Sequence, residues 1–507
     1  ENSYNTGDVS GSSNVGGVCG ENYLNCPVKV CYNTGKVTGT GNYVGGVCGK
    51  NLGRTVGKCY YLEGTSANAV GSGSGNETCE SKTALQFRNG DVAYQLQKDL
   101  GGTTQVWGQR IDPDDTGKTD KTPVLNSTSA YTVHKAAENS PCKRYSNTSG
   151  QTFNKHEYDD EHDVCIRCGA WQEATLNGDY YEIYNQGQLR WFANQVNNQN
   201  RPNINARLMN NITMDGTEWT PIGTDTIPFT GEFDGNNKTI TGLTCTDTNK
   251  YHVGLVGYAI GATIQNVTVQ GATLNGRWYI GAVCGYLLGG TITNCHAVET
   301  VIGKTGREAR SKYCGGIVGY IMGNTNVTGC TNSGTVSVSG SNFLGGIVGQ
   351  AQQATVQRCF NSGAVTGNSS PIGGIVGQAI TTTVQDCGNN GAVTRADNSG
   401  DCGGIAGSTN STSSIKNCYN AYSTITYPIC APPSSDTTLL NCYYLADNPG
   451  TDPSAKTEAQ FNSGEVAYLL QNGERTDTTT TVWGQTLTGG SQQAFPVLNG
   501  DKVYQTT

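Results

Sequence analysis

The chain has 507 residues, of which 70 are glycine and 20 are cysteine, and only 14% are charged. Its formal net charge of -8 comes without any Lys/Arg cluster, which argues against a nucleic-acid partner and against binding to an anionic membrane. No apolar run approaches the roughly 20 residues that span a bilayer, so we expect no membrane insertion.

Residues 1–135 are predicted to form the C-terminal part of a first repeat module. Glu1-Asn-Ser-Tyr-Asn-Thr-Gly7 aligns with Val30-Cys-Tyr-Asn-Thr-Gly35, so we expect an earlier coil to precede residue 1 in a longer polypeptide. The block over about 80–135 is predicted to be a C-terminal cap, because its motifs recur in order after the last repeat. Lys82-Thr-Ala-Leu-Gln-Phe87, Val106-Trp-Gly-Gln109 and Pro123-Val-Leu-Asn126 return as Lys456-Thr-Glu-Ala-Gln-Phe461, Val482-Trp-Gly-Gln485 and Pro496-Val-Leu-Asn499. A solenoid needs such a cap to cover its open strand edge.

Residues 136–170 are polar and lack the repeat, so they are predicted to be a linker. Cys142, His156, Cys165 and Cys168 occur there with the spacing C-x13-H-x8-C-x2-C. Three thiolates and one imidazole form a valid tetrahedral zinc set, which makes the segment a candidate small structural zinc site. The alternatives are a disulfide from Cys142 to Cys165 or Cys168, or a flexible linker with unused thiols; His162 could replace His156 as the ligand.

Residues 171–507 are predicted to form a second, complete module. Leu189, Phe192, Ala193 and Val196 take positions i, i+3, i+4 and i+7, which predicts an amphipathic helix in an N-terminal cap over about 179–200. The coils are expected over about 201–445. The second copy of the C-terminal cap follows over about 446–507.

The motif Gly315-Gly-Ile-Val-Gly319 sets the period of the coils. It recurs as Gly345-Gly-Ile-Val-Gly349, Gly373-Gly-Ile-Val-Gly377 and Gly403-Gly-Ile-Ala-Gly407, with weaker forms ending at Gly20, Gly49, Gly257 and Gly285. The closing glycines from 257 to 407 are 28, 34, 30, 28 and 30 residues apart, which is typical of a stacked solenoid. Each step holds three short stretches rich in Val, Ile and Thr, separated by Gly or Asn. This predicts an all-β parallel β-helix (β-solenoid) with about 28–34 residues per coil, short helical caps and two modules in tandem, in which Gly and Asn form corners with positive φ.

One cysteine per coil recurs in a single register. These cysteines, the cysteine ladder, are Cys31, Cys59, Cys295, Cys330, Cys359, Cys387, Cys418 and Cys442. Stacked neighbours would have Cα atoms about 4.8 Å apart, within reach of a disulfide, but their parallel side chains point the same way. We therefore favour buried thiols that act as small apolar groups over disulfides. Free thiols in a secreted protein suit a bacterium that lives without oxygen.

These features carry a family likeness. The Gly-Gly-Ile-Val-Gly and Asn-Thr-Gly repeats, Phe233-Asp-Gly-Asn236 and Gln188-Leu-Arg-Trp-Phe-Ala193 together resemble the GLUG-repeat family of bacterial surface and secreted proteins. Such repeats also accompany metallopeptidases that cleave immunoglobulin A. The resemblance implies a β-helical fold and a stalk, adhesin or accessory role.

No catalytic constellation is evident in the sequence. A zinc peptidase motif needs His-Glu-x-x-His, whereas in His156-Glu-Tyr-Asp-Asp-Glu-His162 the second histidine comes two positions late. A carbohydrate-cleaving β-helix needs convergent carboxylates, but no Asp or Glu occurs between Glu308 and Asp386. A cluster near the first coils is interpreted as a solvated turn: Asp215, Glu218, Asp225, Glu232 and Asp234. We expect no catalytic residue, and no cofactor beyond the candidate zinc.

The sequence therefore predicts a non-catalytic, extracellular or cell-surface bacterial protein, part of a larger adhesin, stalk or filament. Its expected partners are host or microbial glycans or surface proteins, together with end-to-end self-association. No aromatic row is expected to mark a glycan site. A carbohydrate-active β-helix enzyme, or the accessory stalk of a larger secreted enzyme, are the alternatives.

Overall fold

The computed structural model describes residues 1–23, 26–52, 55–74, 77–112, 119–158, 163–303, 312–338, 343–368, 371–395, 402–423, 425–431, 434–473, 480–488 and 492–504. The chain divides into two compact units, Glu1–Gln172 and Glu173–Thr507. Within the described part of the chain, no helix is both long and apolar enough to cross a membrane.

The second unit is a parallel β-solenoid. Residues that follow one another at the predicted period lie side by side on neighbouring coils: Val318 pairs with Val348, Val348 with Val376, and Val376 with Ala406. The isoleucines at the centre of the motif, Ile317, Ile347, Ile375 and Ile405, are fully buried. The all-β parallel β-solenoid with short helices is therefore confirmed, and its core is a set of stacked apolar side chains.

Gly and Asn corners with positive φ occur as predicted, for example at Gly271 and Asn294, whereas the motif glycines are required by close packing. A Cβ atom on Gly345 would lie 1.9 Å from the Val348 carbonyl oxygen, and one on Gly346 would lie 2.1 Å from the Gly374 carbonyl oxygen of the next coil. Neither glycine is among the residues with positive φ. The strand turns so tightly, and the coils approach so closely, that no side chain fits at these positions.

A ladder of buried asparagines joins one corner of the coils. Asn332 donates a side-chain hydrogen bond to Asn361 (2.9 Å), Asn361 to Asn389 (2.8 Å), and Asn389 to Asn420 (2.8 Å). Each of these side chains also donates to a backbone carbonyl two residues later, for example Asn361 to Gly363. The second motif glycine packs against this ladder, since a Cβ on Gly346 would lie 2.3 Å from Asn361 Cγ.

The first unit contains shorter stacks of the same kind, followed by two helices. Tyr4 pairs with Tyr32 and Tyr32 with Tyr60 on successive coils. Residues 136–170, predicted to be a linker, fall within this unit, where Asn147 accepts hydrogen bonds from the backbone of Ile111 and Asp112. The boundaries proposed for the modules remain predictions.

The helices of the described residues are short. In the first unit they are Ala84–Arg88, Asp91–Leu100 and the 3-10 turn Ser129–Tyr131; in the second they are Gln186–Asn197, Glu458–Asn462 and Glu465–Asn472. Gln186–Asn197 begins at the N-cap Asn185, whose side chain accepts from the Gln188 backbone, and it buries Leu189, Phe192 and Val196.

The strands form several sheets. The largest sheet of the second unit contains Thr175–Asn177, Tyr180–Ile183, Asn205–Leu208, Ile212–Thr213, Glu232–Thr241, Val256–Ile260, Thr263–Gln270, Cys284–Leu288, Thr291–Thr293, His296–Val298, Val318–Thr328, Thr331–Asn332, Val348–Gln357, Phe360–Asn361, Val376–Ile380, Thr383–Gln385, Gly388–Asn389, Ala406–Asn410, Ser414–Lys416, Tyr419–Asn420, Thr438–Leu440, Tyr443–Leu445 and Ala455–Lys456. Two parallel sheets complete its coils: Thr244–Cys245, Thr273–Leu274, Val301–Ile302, Thr335–Val338, Val365–Gly367 and Val393–Arg395; and Tyr251–Val253, Trp278–Gly281, Lys312–Gly315, Leu344–Gly345, Ile372–Gly373 and Cys402–Gly403. The antiparallel pair Trp483–Gly484 and Val497–Leu498 lies in its C-terminal cap.

The first unit has parallel strands at Tyr4–Asn5, Val28–Lys29, Tyr32–Asn33, Val56–Leu62 and Glu77–Lys82; at Cys19–Asn22, Cys48–Leu52 and Val70–Ser74; at Val9–Gly11 and Val37–Gly39; and at Val15–Gly16 and Val44–Gly45. Its antiparallel pairs are Trp107–Gly108 with Val124–Leu125, and His134–Lys135 with Tyr145–Ser146.

Candidate functional site

The structure brings together the four residues predicted to bind a metal. One ligand atom from each of Cys142, His156, Cys165 and Cys168 lies within 4.8 Å of the others. The Cys142 and Cys165 sulfurs are 3.7 Å apart, and the Cys168 sulfur lies 3.3 Å from His156 Nδ1. The alternative ligand His162 lies outside the described residues. We call these four residues the Cys3His cluster.

Local backbone structure positions the ligands of the Cys3His cluster. The buried Ser140 hydroxyl donates to the Cys142 carbonyl (2.8 Å) and accepts from the Phe153 backbone (2.8 Å). The pair Cys165 and Cys168 sits on a tight turn that closes with a hydrogen bond from the Gly169 N–H to the Cys165 carbonyl (2.8 Å). Gly169 has φ of 75°, a conformation that favours glycine.

The thiols of the Cys3His cluster influence one another. A hydrogen bond from Cys168 lowers the pKa of the Cys165 thiol to about 3, and the same contact raises the pKa of Cys168. Burial raises the pKa of Cys142. Arg144 and Arg167 both form ion pairs with Glu157, at 3.6 Å and 2.9 Å, and Glu157 directly follows the ligand His156. The arrangement favours one thiolate at neutral pH.

The cysteine ladder is buried. Cys295 and Cys330 lie in one register, because Thr293 pairs with Thr328 and His296 with Thr331 on either side of them. All the ladder cysteines are buried and are free cysteines in the structure: Cys31, Cys59, Cys295, Cys330, Cys359, Cys387, Cys418 and Cys442. The Cys295 sulfur contacts the Thr293 carbonyl (3.3 Å) and the Ile264 carbonyl of the previous coil (3.7 Å). Burial raises the pKa of Cys295 well above its usual value, as expected for a packing group and not for a nucleophile.

The carboxylates near the first coils are individually paired. Asp215 binds Arg190 at 3.0 Å, Asp234 binds Arg207 at 2.9 Å, and Glu218 lies 3.5 Å from Lys250. Glu232 accepts a hydrogen bond from Gln265 (2.7 Å). These contacts hold neighbouring coils together, and none of them joins two carboxylates as general acid–base cleavage requires.

An aromatic row that sequence reasoning missed lies on the second unit. In one column, His252, Tyr279, Tyr313 and Phe343 stack with ring centroids 5.1, 4.9 and 5.1 Å apart and interplanar angles of 6°, 8° and 3°. In a second column, Tyr258, Tyr286 and Tyr320 stack at 4.6 and 5.1 Å. A row of stacked rings is therefore present, whereas the sequence predicted no aromatic row that marks a glycan site.

The two columns contact each other edge to face. Tyr279 meets Tyr286 at 5.2 Å and 89°, and Tyr313 meets Tyr320 at 5.3 Å and 75°. Tyr251, which is 41% exposed, extends the row by an edge-to-face contact with Trp278 at 5.3 Å. We call this set the aromatic surface: Tyr251, His252, Tyr258, Trp278, Tyr279, Tyr286, Tyr313, Tyr320 and Phe343.

Left-handed backbone brings the first column to the outside of the coil. His252, Tyr279, Tyr313 and Phe343 have φ of 57°, 58°, 59° and 68°. The ordinary alternation of a strand would place every second side chain inward, whereas Tyr251 and His252 are both at least partly exposed and Val253 is buried. Left-handed φ is unusual for bulky residues and costs of order 1–3 kcal/mol each.

Cations and amides border the aromatic surface. The Arg277 guanidinium lies 5.7 Å from the centre of the Tyr251 ring and 5.9 Å from that of Trp278, and the Lys312 ammonium lies 5.5 Å from that of Trp278. On the next coils, Tyr320 is followed in register by Gln350 and Gln378, which hydrogen-bond to each other at 2.6 Å. A cavity of about 380 Å³ opens at the other end, lined by Thr220, Pro221, Gly223, Thr224, Asp225, Lys250, Tyr251 and His252.

A signal for the row was present in the sequence. Tyr279, Tyr313 and Phe343 each stand two residues before the first glycine of a motif. This spacing places each of the three rings beside a buried position of its own strand. It does not show that rings of different coils stack on one another, so it did not predict the aromatic surface.

Comparison with known proteins identifies the type of repeat in the second unit. A model of the GLUG motif matches residues 276–302 and 311–337, which carry Trp278, Tyr279, Tyr286, Tyr313 and Tyr320. The crystal structure of a candidate immunoglobulin A1 protease from Bacteroides ovatus is 21% identical to the chain, covers 65% of it and 95% of its own chain, and has a TM-score of 0.46. No curated protein matches the sequence significantly.

Proposed function

The chain carries GLUG repeats, and we propose that it is a non-catalytic, extracellular repeat segment of a bacterial protein whose aromatic surface binds an acidic polysaccharide. The single observation that carries this proposal is the continuous row of stacked rings on successive coils. Tyr251 is exposed and the other rings of the row are half-buried, so their accessible parts form one continuous strip that a partner could contact.

The geometry of the row favours a polar partner over an apolar one. Because the rings stack along the solenoid, most of their faces contact other rings and their edges point outward. The edge of an aromatic ring carries partial positive charge. Ring edges, tyrosine hydroxyls and the neighbouring Gln350 and Gln378 amides together suit an oxygen-rich ligand such as a sugar chain.

The cations favour a sugar chain with negative charge. Arg277 and Lys312 stand over the rings of Trp278 and Tyr251, and among the described residues no ion pair is formed by either of them. A carboxylate- or sulfate-bearing polysaccharide would place its anionic groups beside these cations and its hydroxyls along the columns. A repeating ligand also matches a surface that repeats once per coil.

The pairing of the carboxylates supports binding without cleavage. Asp215, Glu218 and Asp234 are each paired with a basic residue of a neighbouring coil. A carbohydrate-active enzyme would need two carboxylates facing one bound glycosidic bond. We therefore propose that the chain is an adhesive part of a stalk or filament that binds polysaccharide without cleaving it. This role implies an extracellular location.

Glycan-array binding by the whole chain tests the proposal. Binding to uronic-acid or sulfated polysaccharides without release of sugar ends is expected, and it should weaken as salt is raised. Trp278→Ala and Arg277→Gln should each reduce binding at least tenfold. Tyr184→Ala is the matched control, because Tyr184 is 42% exposed in the same unit but lies outside the aromatic surface.

The outcomes separate the alternatives. Equal binding by the wild-type chain and Trp278→Ala would overturn the aromatic site. Turnover of a polysaccharide that is lost in Asp234→Asn would favour the enzyme instead. End-to-end particles seen by electron microscopy in the absence of glycan would favour a filament formed by self-association.

A further inference from the structure

We propose that Cys142, His156, Cys165 and Cys168 bind one zinc ion, which holds residues 136–158 and 163–172 in their folded form within the first unit. This inference is independent of the aromatic surface, which lies on the second unit. It rests on the geometry, the lack of apolar packing and the backbone contacts of the Cys3His cluster.

The distances within the cluster match a tetrahedral site. With zinc–sulfur bonds of about 2.3 Å and zinc–nitrogen bonds of about 2.1 Å, two sulfurs lie about 3.8 Å apart, and a sulfur lies about 3.6 Å from a nitrogen. The Cys142 and Cys165 sulfurs are 3.7 Å apart, and the Cys168 sulfur is 3.3 Å from His156 Nδ1. One ion therefore fits among the four ligand atoms with little movement.

The segment that carries the cluster is joined to the first unit by hydrogen bonds of Tyr145, Ser146 and Asn147 but has no apolar core of its own. No described residue from 136 to 158 or from 163 to 172 belongs to one of the hydrophobic core clusters. The buried side chains of this part of the chain are Ser140, Cys142, Ser146 and Cys165. A segment without an apolar core commonly gains its fold from a metal, because the binding energy is realised only when the ligands are brought together.

Backbone hydrogen bonds hold the ligands in place. The Cys165 N–H donates to the Ala170 carbonyl (2.8 Å), and the Gly169 N–H donates to the Cys165 carbonyl (2.8 Å). The Cys142 N–H donates to the Phe153 carbonyl (3.1 Å). The backbone around the three cysteines is therefore ordered in a way that supports a fixed ligand set.

Two of the ligands are shielded from water and two stand at the edge. Cys142 and Cys165 are fully buried, whereas His156 and Cys168 are half-buried. The His156 ring stacks on Tyr158 with centroids 5.6 Å apart, which fixes its orientation. All four positions are taken by protein, so the ion would have no open coordination site and its role would be structural.

Metal analysis of the whole chain, purified under reducing conditions without added metal, tests the proposal. We expect one zinc per chain by elemental mass spectrometry. Replacement of zinc by cobalt should give the visible absorption of tetrahedral Co²⁺ with thiolate ligands. The variant pair Cys165→Ser/Cys168→Ser should lose both signals, while Cys26→Ser, an exposed cysteine of the same unit, should keep them.

A further variant protects the test against simple misfolding. His156→Cys should still bind one zinc, because four thiolates are also a tetrahedral set, whereas His156→Ala should bind at least tenfold more weakly. Chelation of the wild-type chain should increase proteolysis and hydrogen exchange within residues 136–172 and leave the coils of the second unit protected.

Two results would overturn the proposal. One is a metal-free chain in which fewer than the 20 thiols react when it is denatured without reductant, and in which mass mapping finds a disulfide among Cys142, Cys165 and Cys168. The other is a full zinc content in the Cys165→Ser/Cys168→Ser variant, which would place the metal elsewhere.

Discussion

The two C-terminal caps share their sequence motifs and make the same internal contacts. In both, a threonine forms a capping box with a glutamine three residues later, Thr83 with Gln86 and Thr457 with Gln460. In both, a glutamine side chain accepts from two backbone N–H groups at a Val-Trp step: Gln97 at 2.9 and 3.0 Å, and Gln471 at 2.8 and 2.9 Å. The cap is therefore one structural unit used twice.

Each cap docks on its own last coils through a tyrosine and a tryptophan. Tyr32 donates to the Pro123 carbonyl (2.6 Å) and contacts Trp107 at 5.7 Å. Tyr419 donates to the Pro496 carbonyl (2.7 Å) and contacts Trp483 at 5.3 Å. The shared contacts show that these aromatic residues, and not the variable loops, define the cap.

The caps differ in what is attached to them. Asp91 of the first cap accepts a hydrogen bond from Tyr145 of the segment that carries the Cys3His cluster (2.6 Å). The residue at the same place in the second cap, Glu465, instead binds Lys456 (3.0 Å) within the cap itself. At this position the described residues of the second cap therefore make their contact with Lys456, and not with a residue of a Cys3His segment.

The largest expected effect comes from removing the central tryptophans. Trp107→Ala and Trp483→Ala should each lower the free energy of unfolding of their own unit by about 3–5 kcal/mol, because both side chains are fully buried. Hydrogen-exchange mass spectrometry of the whole chain would locate each loss. The control Trp278→Ala, at a half-buried site, should lower the free energy of unfolding clearly less. If Trp107→Ala had an equally small effect, the two caps would not be equivalent.

A smaller effect should distinguish the caps. Tyr145→Phe removes the hydrogen bond to Asp91 and should destabilise the attachment of residues 136–158 by about 1.5 kcal/mol. Tyr468→Phe, in the second cap, serves as the control and should change little. Hydrogen exchange in Asp91–Leu100 and residues 136–158 would report the loss, and equal exchange in the two variants would contradict a specific role for Tyr145.

The smallest effect concerns acid stability of the second unit. Burial lowers the pKa of His252, against an opposing effect of Asp225, so the folded unit takes up this proton less readily than the unfolded chain. Stability should therefore fall as the pH drops below the unfolded value of about 6.5.

Urea unfolding at pH 7.5 and 5.5 checks this dependence. His252→Gln should show a smaller loss on acidification than the wild-type chain, while His134→Gln in the first unit should behave like the wild type. An unchanged pH dependence in His252→Gln would show that other groups cause the acid sensitivity.

Much of the fold follows from local sequence. The spacing of Gly315-Gly-Ile-Val-Gly319 and its copies predicted the coil length, because a solenoid coil is a local unit that stacks on its nearest neighbours. The sequence did not show why the motif positions must be glycine. Their need for space against the Val348 and Gly374 carbonyls depends on how closely consecutive coils approach, which no single coil reveals.

Of the two candidate sites, the Cys3His cluster was predicted from the sequence and the aromatic surface was not. The spacing of Cys142, His156, Cys165 and Cys168 pointed to a metal set, since ligand types and intervals are local features. The aromatic surface was missed, because it exists only when rings from different coils stack and left-handed residues such as Tyr279 turn outward.

The amino-acid sequence by itself determined the repeat, the parallel β-solenoid, the doubled cap motifs and the ligand types of the Cys3His cluster, because each depends on residues close in the chain. Only the tertiary structure showed that the cluster belongs to the first unit and that nine aromatic side chains form one surface. These depend on stacking distances between coils, which arise when side chains about 30 positions apart are brought to neighbouring positions.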